Sequence, residues 1–145
     1  MRSLKKKGSG KKLAECDLCS PVRRFLGREG CDRVIRELRF FDRSIDLYGV
    51  AWGIEGKTIA VELKLRKWQK ALQQAALYQL CSDYSYVAMP WDRAKELKFH
   101  FFQAAGVGIL AVDMESKVVD VLLPAVLSRE TKQHYVGTYK DMLRR

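Results

Sequence analysis

Residues 44–65 admit few folds, because two candidate strands there are separated by a short turn and carry acids and a lysine at their open end. Ser44–Trp52 reads as one strand, Gly53–Lys57 as a turn, and Thr58–Leu65 as a second strand. In the second strand Ile59, Val61, Leu63 and Leu65 alternate with Ala60, Glu62 and Lys64, the period of two expected when one face is buried. Folding the hairpin about Glu55 places Asp46 opposite Lys64 and Tyr48 opposite Glu62. Two carboxylates and an ammonium then meet on one face.

Those residue types suit a metal site. A hard divalent cation such as Mg²⁺ or Mn²⁺ takes oxygen ligands, uses one or two carboxylates and keeps several waters. Asp46 and Glu62 would supply the carboxylates, and the backbone carbonyl of Leu63 would complete the protein's share. Lys64, two residues from a ligand, would hold a scissile phosphate or assist the attacking water. The alternative is a hairpin with a charged, solvated outer face. Position favours the site over the triplet itself: Glu-x-Lys occurs five times, at Glu55, Glu62, Glu96, Glu115 and Glu130. Only Glu62 lies in an alternating apolar strand with an aspartate on the strand before it.

Ile45-Asp46, fifteen intervening residues and then Glu62-Leu63-Lys64 resembles the signature of the PD-(D/E)XK nuclease superfamily, with Ile45 where the name has proline. The segment after it is similar too. Trp68–Tyr78 has the composition of a helix, with Gln74 and Tyr78 four apart on one face. In RecB-like members a Gln-x-x-x-Tyr pair on the helix after the Glu-x-Lys strand contacts the DNA or the site. The resemblance therefore implies substrate positioning by Gln74 and Tyr78, although both are also ordinary half-buried helix residues. It covers residues 21 to 124, from a helix at Pro21–Leu26 to later strands at Asp83–Pro90 and Gly106–Asp113. Small PD-(D/E)XK-type phosphodiesterases are the nearest group, with archaeal Holliday-junction resolvases as wider relatives. The superfamily often adds an upstream acid as a metal ligand, and Glu37 is the candidate.

Charge points to a polyanion. The chain of 145 residues carries a net charge of +10. Arg2, Lys5, Lys6, Lys7, Lys11 and Lys12 crowd the first twelve residues, which read as a flexible basic arm. Arg36, Arg39, Arg43, Arg66, Lys67 and Lys70 surround the proposed site and are candidate DNA contacts. Basic chains can also be merely soluble, but a phosphodiesterase site in the same chain favours nucleic acid. No apolar run approaches the roughly 20 residues that span a bilayer, and the basic N-terminus lacks the apolar stretch of a secretory signal. A cytoplasmic protein is expected.

Cys16 and Cys19 form a Cys-x-x-Cys, with Cys31 and Cys81 elsewhere. Four thiolates could bind zinc or an iron–sulfur cluster, but the second half of the usual paired spacing is missing, so small core residues are the better reading. Trp91–Gly106 reads as one helix after Pro90, with His100 packed among its aromatics, and Val118–Leu123 as an edge strand ended by Pro124.

The expected architecture is α/β with a restriction-endonuclease-like three-layer αβα core and a central mixed sheet. A domain over 13–127 would be flanked by the arm and by a basic C-terminal helix or tail over 128–145. The expected activity is Mg²⁺-dependent hydrolysis of phosphodiester bonds in DNA, with a homodimer as one form. A nuclease-fold module that binds nucleic acid or a partner protein without cutting is the alternative.

Overall fold

A computed structural model of the chain describes residues 12–53 and 56–128. The basic arm up to residue 11, the middle of the expected turn and the tail from residue 129 lie outside the described residues. A 3-10 turn at Glu15–Leu18 leads into α1 (Cys19–Arg28). Leu18, Val22, Phe25 and Leu26 recur at helical spacing and are all buried, which fixes the helix on the sheet at roughly 1.5–3 kcal/mol per large side chain. The helix begins two residues before the expected Pro21, which sits in its first turn, where a missing N–H costs no helical bond.

Strands β1 (Arg33–Phe40), β2 (Arg43–Ala51) and β3 (Lys57–Leu63) form an antiparallel meander. Then come α2 (Trp68–Leu77), a 3-10 turn at Tyr78–Leu80, β4 (Tyr84–Pro90), α3 (Trp91–Ala94), α4 (Phe99–Ala105), β5 (Gly108–Val112) and β6 (Val119–Leu123). The six strands lie side by side in chain order. β3, β4 and β5 run parallel, and β6 closes the edge antiparallel. This is a mixed sheet between two helical layers, the expected α/β class. One layer is α1 on Leu47, Ile59, Val61 and Leu110. The other is built from α2, α3 and α4, whose Ala71, Ala75, Ala94 and Phe102 cover Val87, Met89, Ile109 and Ala111.

Three expectations change. β3 is buried on both faces from Thr58 to Leu63, not one, because a strand inside a three-layer core has helices above and below it. It stops at Leu63, short of Leu65: the Lys64 amide still bonds the Ala88 carbonyl at 3.0 Å, then the chain bends into α2. The single helix over Trp91–Gly106 is two short ones, and the break between them leaves both Ala94 and Phe102 fully buried. Among the described residues, no helix is long and apolar enough to cross a membrane.

Candidate functional site

The β2–β3 ladder pairs Ala51 with Lys57 at the loop and Leu47 with Val61 at the open end. Its next step sets Asp46 across from Glu62 rather than Lys64, and Tyr48 faces Ala60 rather than Glu62. The expected register was wrong by two residues, because the connection between the paired ends is centred on position 54 and not on Glu55. An even slip leaves every side chain on its own face. The acids therefore still meet, and more directly than expected.

On its other side β2 pairs with β1 at Arg36↔Leu47 and at Leu38↔Ile45, with no pair between them at Glu37 and Asp46. Glu37 has a left-handed backbone there (φ 53°), a costly conformation in a strand. Asp46 thus sits at a local break in the ladder. Its carboxylate turns to β3, accepting a hydrogen bond from the Leu63 amide at 2.7 Å. Glu62 is nearly buried and accepts a bond from the Tyr78 hydroxyl at 2.7 Å.

Tyr78 is itself buried, with its hydroxyl 3.1 Å from the Ser44 carbonyl oxygen. One helical turn earlier, Gln74 Oε1 accepts from Arg43 Nη1 at 3.0 Å. The Gln-x-x-x-Tyr pair therefore clamps the start of β2 to α2 and holds Glu62.

Electrostatics set this corner apart. Burial, then the charge of Asp46, pushes the Glu62 carboxyl up to about 7, while Tyr78 and Lys64 pull the other way. Asp46 is also raised, first by burial and then by Glu15, against the Leu63 hydrogen bond. Ionising two adjacent carboxylates in a poorly solvated corner is costly, which favours the neutral form of each. A divalent cation would relieve that cost, and two carboxylates with the Leu63 carbonyl suit a hard ion that keeps its waters. The fit is of that sparse kind: among the described residues, no group of three or more His, Cys, Asp or Glu is placed to hold a metal ion.

The upstream acid is not where the sequence suggested. Glu37 is exposed, beside Arg36 at 3.9 Å, and does not join the pair. Glu15 is the further acid whose charge reaches Asp46. No spacing in the sequence marks it, because it lies on the 3-10 turn before α1, far from both strands along the chain.

The cations divide into two sets. Lys64, Arg66 and Lys67 line a groove of about 600 Å³ together with Lys12, Glu15 and Arg93. Arg36, Arg39 and Arg43 lie on β1 and β2 instead. Lys70 is exposed on α2.

The cysteines stay apart. Cys19 is buried under α1 and Cys81 in a separate cluster with Tyr48 and Tyr78, while Cys16 is exposed. Cys31 packs on Gly49, where an added Cβ would fall 2.6 Å from its sulfur. Burial raises the Cys31 thiol to about 11 and the Cys81 thiol to about 12, so both are neutral packing groups. His100 is exposed, leaning on Phe101 with ring centroids 4.2 Å apart, rather than packed inside as expected; only Phe102 of that helix reaches the core fully.

No protein-family model and no curated protein matches this chain. Among solved structures, a protein of unknown function from Silicibacter pomeroyi is similar in fold, with a TM-score of 0.67 and 16% sequence identity. The likeness covers 93% of this chain and 90% of that one.

Proposed function

We propose that this chain is a metal-dependent nuclease of PD-(D/E)XK type that hydrolyses phosphodiester bonds in DNA. The observation that carries the proposal is the pair of adjacent carboxylates Asp46 and Glu62 facing each other across the β2–β3 ladder, each fixed by one hydrogen bond, with Lys64 two residues from Glu62. Asp46, Glu62 and the Leu63 carbonyl would hold Mg²⁺ or Mn²⁺, which when bound supplies an activated water and charge neutralisation at a phosphoryl oxygen. The chain's own residues do the rest. Lys64 binds the scissile phosphate as a point charge. Tyr78 fixes one Glu62 oxygen and the Leu63 amide fixes one Asp46 oxygen, so each carboxylate keeps its other oxygen for the cation. Gln74 acts through Arg43, which it holds at the edge of the site. Arg66 and Lys67 attract the phosphate backbone along the groove. A cytoplasmic setting belongs to the proposal, in keeping with four free thiols.

A non-catalytic nuclease-fold module that binds nucleic acid is the second reading, and the sparse donor set favours it. Cleavage assays separate the two. Wild-type protein is expected to cut plasmid, single-stranded or branched DNA with Mg²⁺ or Mn²⁺ and not with EDTA. Asp46→Asn and Lys64→Ala should each lose activity, Lys64→Ala by roughly a hundredfold to a thousandfold, as for removal of one charge-stabilising donor. Salt-sensitive binding without cleavage by the wild type would establish the second reading instead.

A further inference from the structure

Strands β3 and β4 are parallel neighbours, so their C-terminal ends, Leu63 and Pro90, open on the same edge of the sheet. The space outside the carboxyl ends of parallel strands is where an α/β sheet offers room for a ligand. The groove of about 600 Å³ lies there, walled by three stretches far apart in the chain: 12–15, 64–67 and 90–93. Lys64 and Glu15 tie it to the acid pair, since both line the groove and the charge of each reaches Asp46.

Its walls combine two chemistries. Lys12, Lys64, Arg66, Lys67 and Arg93 stand against two acids, Glu15 and Asp92, an excess of three positive charges. Among the described residues Arg66, Lys67 and Arg93 form no ion pair, so their charge is left for whatever enters the groove. Lys67 also takes a left-handed backbone (φ 56°) just before α2. That conformation is uncommon for a residue other than glycine and collects at functional sites. Leu13, Leu65 and Pro90 make the remaining wall apolar. Phosphates match the cations, and a base or sugar matches the apolar wall, which a bare phosphate would leave uncovered.

We infer that the groove holds a short stretch of a single-stranded polynucleotide next to the scissile bond, with Arg93 on a phosphate and Leu13 against a base or sugar. The inference rests on the nuclease reading. It adds the form of the substrate and two binding residues outside the elements that hold the acid pair. The size of the groove decides for a single strand, since it falls in the range of roughly 300–1,000 Å³ that encloses a small molecule. A duplex, whose major groove alone admits a whole α-helix, is too wide for it.

The test measures binding by the full chain in EDTA over a series of salt concentrations. Its probes are a single-stranded oligonucleotide, a blunt duplex of equal length and a free mononucleotide. Arg93 and Leu13 are both exposed, so Arg93→Ala and Leu13→Ala should melt with wild type. Arg93→Ala is expected to weaken single-strand binding roughly 10- to 100-fold, as for a lost hydrogen bond to a charged group. It should also lower the salt slope by about 0.7, the share of one phosphate contact on a single strand. Arg93→Lys keeps the charge and should restore most of that slope. Leu13→Ala should weaken the single strand roughly 3- to 10-fold with the slope unchanged, the mark of an apolar contact. Neither alanine variant should move duplex binding comparably.

Equal weakening on single strand and duplex, or unchanged single-strand binding by either alanine variant, would overturn the inference while leaving metal-dependent cleavage standing. A mononucleotide bound as tightly as the oligonucleotide would assign the groove to a free nucleotide, and the inference would fail. Wild-type protein that neither binds nor cuts nucleic acid would overturn this inference and the nuclease reading together.

Discussion

The two ends of β3 each carry a carboxylate problem, and they solve it in opposite ways. At the start of the strand, Asp83 Oδ2 accepts hydrogen bonds from the Thr58 amide at 2.9 Å and the Thr58 hydroxyl at 3.2 Å. In return the Asp83 amide bonds the Thr58 hydroxyl oxygen at 2.9 Å. That is a saturated clasp between β3 and β4. At the far end, Asp46 and Glu62 have between them one backbone amide and one phenol, and burial with their mutual charge pushes both acids toward the neutral form. Buried polar groups that are fully bonded hold a fold together, whereas a cluster short of positive charge is built to receive it. The same strand therefore carries a structural end and a functional end.

Substitutions at the two ends should separate by readout. Asp46→Asn is expected to lower cleavage by on the order of a thousandfold, from several kcal/mol of lost charge stabilisation, with no loss of melting temperature. Asp83→Ala should do the reverse, costing about 1–3 kcal/mol of stability through the orphaned Thr58 donors while folded protein keeps its cleavage rate. Chemical denaturation and cleavage rates on both proteins check this. Loss of activity without loss of stability on Asp83→Ala would break the contrast.

A smaller effect sharpens it. Folded Glu62 takes up its proton near pH 7, but the unfolded chain does so near 4.5. Between those values the native state binds more protons, so this group removes stability as pH rises through that window. Metal-free wild type should therefore lose stability from about pH 4.5 to about 7, and Glu62→Gln should flatten that part of the profile. Urea denaturation across the range, with EDTA present, would measure it; an identical slope in both proteins would refute the raised Glu62 carboxyl.

The acid pair was legible in the sequence because strand periodicity is local. Ile59, Val61 and Leu63 place Glu62 on the opposite face whatever the exact register, so a two-residue slip left the site intact. Gln74 and Tyr78 were legible as a pair on one helix face. Their partners, Arg43, Ser44 and Glu62, were not, since these contacts join distant parts of the chain. Glu15 escaped for the same reason, and Glu37, named because the resemblance implies an upstream acid, has a backbone that turns it to solvent. The double burial of β3 and the break between α3 and α4 follow from layers that packing alone defines.

The most direct test is calorimetric titration of Mn²⁺ into the metal-free protein at pH 6.5, in buffers of different ionisation enthalpy. Below its raised pKa the pair holds a proton that a cation must displace, so binding should release close to one proton per site. Glu62→Gln should lose both the binding and the release. Saturable Mn²⁺ binding with no proton release, or binding unchanged in Glu62→Gln, would contradict the assignment of this corner as the metal site.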